Sequence, residues 1–120
     1  MASSNELALF IASSFRSVWA LELLLLLKSQ GRACSVDELV ELMRASRSVV
    51  DKAVESLSAA GLAGTDAQGT AYMPVSEKVA RLVEETEQLY RSKPNRVRRL
   101  IVASTHSGLA AFSDAFRLKD

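Results

Sequence analysis

The sequence predicts a mainly α fold with one small β-hairpin, and three observations carry that prediction. The stretch 35–62, SVDELVELMRASRSVVDKAVESLSAAGL, holds apolar residues at helical spacing in two short blocks with a break between them. Directly after it the helical period stops, and Thr, Tyr and Val flank a Gly-containing loop. Two Pro and five Gly in 120 residues are few, which favours helices over a turn-rich β fold elsewhere. At this length one domain with a single core is expected, spanning 1–120.

The first helix is expected to be capped by Ser4 or Asn5 and to carry Leu7, Phe10 and Ile11. Ser13 and Ser14 either interrupt it or lie inside one longer helix. From Phe15 the periodicity strengthens through Val18, Trp19, Glu22, Leu23, Leu26 and Leu27, with Leu24 and Leu25 adding apolar surface outside that stripe. Trp19 is assigned to the core. Two readings of this helix stay open: a central helix wrapped by the domain, or one partly placed in a homodimer interface. Gly31 ends it. Residues 32–34 connect onward, with Cys34 packing as a small apolar residue.

Ser35 with Glu38 three places later is a capping box. Val36, Leu39, Val40 and Met43 then share one face. The pattern breaks at Ala45 and Ser46, and Ser46 caps a second helix with Val49, Val50, Ala53, Val54 and Leu57 inward, closed by Gly61. Helix, short turn, helix is either a helix-turn-helix unit or a plain αα-hairpin. Strands are expected over 62–65 and 70–75 around a four-residue loop, 66–69, with Gly69 taking the positive φ. Pro74 ends the second strand. Ser76 caps a helix with Val79, Leu82, Val83, Leu89 and Tyr90 inward and Glu84, Glu85 and Glu87 toward solvent. Pro94 breaks it, Asn95 caps a further helix with Val97, Leu100 and Ile101, and Leu109, Phe112 and Phe116 recur as a last amphipathic segment, either folded back or exchanged between subunits.

Composition narrows the function classes. The longest apolar run, 19–27, falls well short of the roughly 18 residues of a membrane span, and no cleavage-site pattern surrounds it. One Cys makes no internal disulfide, so a reducing cytoplasm is expected, and Cys34 with the lone His106 is too few ligands for zinc. There is no Gly-rich phosphate loop, paired acid–base motif or nucleophile elbow; no enzyme, metal or cofactor is expected.

Ser35, Leu39, Ser46, Val50, Leu57, Ala60, Gly61 and Leu62, followed by a hairpin, resemble the winged helix-turn-helix domains of bacterial regulators of the MarR and ArsR type. The resemblance implies a winged helix-turn-helix with extra N- and C-terminal helices, its core at about 14–75 and the added helices over 76–118. It further implies a cytoplasmic, dimeric DNA-binding transcriptional regulator. The helix 46–60 would enter the major groove of double-stranded DNA, the two copies being about 34–36 Å apart. Groove-facing positions are then Ser46, Arg47, Ser48, Asp51, Lys52 and Glu55, with Arg44 reaching the backbone and Gln68 at the wing tip. Arg47 would bond guanine.

Charge complicates that implication. Over 35–60 three cations (Arg44, Arg47, Lys52) face five carboxylates, a balance of −2, and the hairpin tip 66–69 carries no cation. Asp51 can pair with Arg47 one turn earlier. Cations gather instead at Arg91, Lys93, Arg96, Arg98 and Arg99. That cluster reads three ways: a solvated helix end, a phosphate-contacting patch, or a dock for an acidic protein partner. A winged-helix adaptor that binds protein and not DNA is the competing function.

Overall fold

The computed structural model describes residues 2–103. The chain is mainly helical with one small antiparallel sheet, in the order α1 (Ser4–Ser14), α2 (Val18–Gln30), α3 (Val36–Met43), α4 (Arg47–Ala59), β1 (Ala63–Asp66), β2 (Gly69–Tyr72) and α5 (Glu77–Ser92). A further helix, α6, covers 94–103, where the described residues end.

Serine hydroxyls start five of the helices. Ser3, Ser17, Ser35, Ser46 and Ser76 each accept a backbone N–H from the first turn of α1 to α5 respectively. Each satisfies a donor that the helix leaves unpaired. The cap of α1 is therefore Ser3, one residue before the expected Ser4 or Asn5. The cap of α6 also differs. Pro94 is its first helical residue, and the Lys93 carbonyl accepts the Arg96 and Val97 N–H groups at 3.1 and 3.3 Å, so Asn95 lies inside the first turn. A proline fits there because its missing N–H would have had no partner.

Ser13 and Ser14 end α1, and α2 leaves it at 102°. Among the described residues no single helix is long and apolar enough to cross a membrane. α2 buries Ala20, Leu21, Leu23, Leu24 and Leu27 and packs on α4 and β2. This face is rotated from the expected stripe. Trp19, assigned to the core from sequence, is 45% exposed, and Glu22 beside it is exposed as well.

α4 ends in a Schellman arrangement. The Leu62 N–H reaches the Leu57 carbonyl at 3.0 Å and the Gly61 N–H reaches Ser58 at 3.2 Å, with Gly61 at φ +77°. The hairpin follows at once. Asp66 pairs with Gly69, so the loop is a two-residue turn, Ala67–Gln68, not four residues. Pairing outlasts the regular strands, because Met73 and Val75 donate to the Leu62 and Gly61 carbonyls. On the other edge of β2, Cys34 and Thr70 exchange backbone bonds of 2.8 and 2.9 Å, tying the lead-in of α3 to the hairpin. The apolar core draws on α1 through α6, from Ile11 to Ile101.

Candidate functional site

The surface at issue is built by α3, its turn, and α4. Leu39 of α3 and Val50, Ala53 and Leu57 of α4 are buried, which fixes the rotation of both helices. The opposite side of α4 then presents Arg47, Ser48, Asp51, Lys52, Glu55 and Ser58, all exposed. Burial of one stripe and exposure of the other follow from the 3.6-residue period.

The turn is shaped by Arg44, which adopts φ 54° and ψ 44°, a left-handed conformation rare outside glycine. The Ala45 N–H closes back on Val40 at 3.4 Å. Arg44 is thereby turned out of the helix with its side chain exposed. Ser46 is not a free contact residue: its hydroxyl accepts the Val49 N–H at 3.2 Å.

Arg47 pairs with Asp37 of α3 at 2.8 Å, and not with Asp51 as the spacing suggested. Both partners lie largely in water, 65% and 86% exposed, so the pair holds Arg47 by well under 1 kcal/mol. Asp51 and Glu55 sit one turn apart on the outward face. Lys52 turns to the flank, where it lines a groove of about 620 Å³ with Arg16, Trp19, Val49, Glu55 and Ser56. The hairpin tip is folded on itself: Asp66 Oδ1 accepts the Gln68 N–H at 2.8 Å, and the Gln68 side chain is exposed.

The basic cluster divides. Arg91 is paired with Glu87 at 3.0 Å, and Glu87 also takes Lys28 at 2.9 Å, which makes Glu87 a half-buried bridge and not the solvent-facing residue expected. Its hydrogen bond holds the Lys28 ammonium pKa above the usual lysine range. Arg98 lies over the Tyr90 ring, 5.5 Å from its centre, and donates to its hydroxyl. That hydroxyl in turn donates to Glu22 of α2. Burial, then the Glu22 carboxylate, raises the Tyr90 pKa against the opposing pull of Arg98. Lys93, Arg96 and Arg99 are exposed around a shallow cavity of about 510 Å³ at the α5–α6 elbow. The five cations therefore form two bonded arms and one open group of three. Lys52 belongs to a different groove.

Sequence reasoning missed Arg16 and Trp19. The signal is in the spacing: Arg16 and Glu22 stand three residues either side of Trp19, so the strip holding the tryptophan is charged at both ends. Leu109, Phe112, Phe116 and His106 lie outside the described residues. Compared with known proteins, the chain matches no family model, no curated protein and no solved structure.

Proposed function

We propose that the chain is a winged helix-turn-helix transcriptional regulator of the cytoplasm, acting as a homodimer and reading double-stranded DNA with α4. The observation that carries this is the capped α3, the tight Arg44–Ser46 turn, and α4 with its N-terminal residues open to solvent, followed at once by a hairpin. Arg47 and Ser48 stand where the leading end of such a helix meets base edges, and Arg47 needs to leave only a solvated partner to do so. Arg44, exposed in the turn just ahead of α4, suits a phosphate. Asp51, exposed one turn further along α4, would accept from a cytosine amine in this reading.

One observation favours a second reading, a winged-helix adaptor for proteins. On the exposed side of α4 the carboxylates Asp51 and Glu55 offset the cations Arg47 and Lys52, and the hairpin tip is cation-free, so the sequence-independent attraction to phosphates is weak. In that reading the open Lys93, Arg96 and Arg99 group docks an acidic partner.

A mobility-shift titration against sheared genomic DNA separates them. Affinity is expected to fall as salt rises from about 50 to about 200 mM, and Arg47→Ala with Lys52→Ala is expected to abolish retention while the circular dichroism spectrum is kept. No salt-sensitive retention of the wild-type chain would leave the adaptor reading standing alone.

A further inference from the structure

The charge of this chain is divided unevenly, and the elbow between α5 and α6 takes the positive share. Residues 88–103 hold five cations and no carboxylate, a balance of +5, whereas residues 2–87 hold eight cations and twelve carboxylates, a balance of −4. Two of the five cations are engaged within the fold, Arg91 by Glu87 and Arg98 by the ring and hydroxyl of Tyr90. Lys93, Arg96 and Arg99 are exposed, and among the described residues no carboxylate pairs with them.

The fold lines up these three. Val97 and Ile101 are buried, which fixes the rotation of α6. Lys93, Arg96 and Arg99 recur at every third residue and make one ridge. Six residues at helical rise give that ridge a length of about 9 Å. One strand of duplex DNA advances by about two to three phosphates over the same distance. Through Arg98 and Tyr90 the elbow is tied to Glu22 of α2, which lines a groove with Leu42 and Met43, the residues just ahead of Arg44. The elbow and the α3–α4 turn therefore border one stretch of surface.

Composition selects the partner. The cavity of about 510 Å³ beside the ridge is lined by Ser92, Pro94 and Asn95 besides the three cations, with no large apolar side chain. Protein interfaces centre on buried apolar or aromatic anchors. Surfaces for nucleic acid are polar and strongly positive. Guanidinium forks also match phosphate oxygens in geometry as well as charge. A phosphate backbone fits this surface better than an acidic protein does.

We propose that the α5–α6 elbow is a second DNA-contacting surface, on which Lys93, Arg96 and Arg99 each meet a backbone phosphate of double-stranded DNA. The proposal rests on the regulator reading for its ligand. It supplies the sequence-independent attraction that the outward face of α4 lacks.

The test is fluorescence anisotropy of a labelled duplex of arbitrary sequence with the full chain, titrated from about 50 to about 200 mM salt. Lys93→Gln, Arg96→Gln and Arg99→Gln are each expected to lower the log–log salt slope by about 0.9, and all three together by about 2.7. The triple variant is also expected to bind about tenfold or more weakly at about 50 mM salt, with an unchanged circular dichroism spectrum. Arg96→Lys with Arg99→Lys keeps the charge and is expected to keep the slope. A triple variant with the wild-type slope overturns the elbow contact and leaves the α4 reading intact. Full affinity in Arg47→Ala with Lys52→Ala, lost in the elbow triple, supports the elbow and removes the α4 reading. A wild-type chain with no salt-sensitive affinity for the duplex overturns both. If that chain instead holds poly-glutamate, and the elbow triple does not, the surface belongs to an acidic protein and the DNA contact is overturned.

Discussion

Arg44 occupies a backbone state that costs an L-residue about 1 kcal/mol, at a helix end where glycine is the usual choice. Arg44→Gly is expected to raise stability by about 0.5 kcal/mol, the relief of strain being partly offset by the greater freedom of glycine in the unfolded chain. If Arg44 meets a phosphate, the same variant binds DNA more weakly and lowers the salt slope by about one. Thermal melts with mobility shifts check both halves, and a lower melting temperature would refute the strain argument. Gly69 gives the opposite case. At φ +133° a Cβ would come to 2.3 Å from the Cys34 carbonyl oxygen, so Gly69→Ala is expected to cost on the order of 2–4 kcal/mol by the same melts. The need for positive φ at Gly69 was legible, since a hairpin loop must have it somewhere. The turn at Arg44 was legible only as a break in period, because arginine gives no local sign of a left-handed backbone.

Among the elements, the caps divide legible from illegible. Ser35, Ser46 and Ser76 each stand directly ahead of an apolar-periodic run, and each caps the expected helix. Ser3, unlike Ser4 or Asn5, has a glutamate three places on, the same capping-box spacing as Ser35 and Glu38, so the cap of α1 was legible locally in the Ser3–Glu6 pair. α2 was harder. Nine residues from Trp19 to Leu27 with a single charge leave little periodic contrast, so its inward face could not be read from the run itself. The double claim on Ser46, as a cap and as a DNA contact, can be separated. Ser46→Ala is expected to lose about 1 kcal/mol of stability, whereas Ser46→Asp retains the cap. Under the regulator reading Ser46→Asp nonetheless weakens DNA binding, since it sets a carboxylate beside the groove. Equal melting temperatures for Ser46→Ala and the wild type would remove the capping argument.

At the scale of the whole molecule, contacts between distant segments decide what periodicity cannot. Arg47 finds Asp37 across the turn, Lys28 finds Glu87, and Glu22 finds Tyr90 and through it Arg98, none of them within one helical turn in sequence. The charges of the candidate site were therefore legible, but not their partners. The same long-range packing sets a pH dependence. Burial raises the pKa of the Cys34 thiol, of Tyr72 and of Tyr90, and the bond to Glu87 raises that of Lys28. In all four the folded chain holds its proton to higher pH than the unfolded chain does. Unfolding at alkaline pH then releases protons, and stability falls as pH rises. The contribution is complete below the unfolded values, about 8.5 for a thiol and about 10 for tyrosine and lysine, and is lost as pH climbs through the folded ones. On the acid side Glu38 is held down by Arg32, but that pair is at the surface, and its contribution, present above about pH 4.3, is lost only shallowly as pH falls. Melting temperature is therefore expected to stay nearly level from about pH 5 to 8, then to decline from about pH 8.5 and steepen near 10. Cys34 lies wholly inside, so Cys34→Ala keeps most of the packing while removing the first titrating group. It is expected to flatten the limb below about pH 9.5 and leave the steeper part. A wild-type melting temperature unchanged between about pH 7.5 and 9.5 would show that the thiol titrates alike in both states and that its burial does not constrain it.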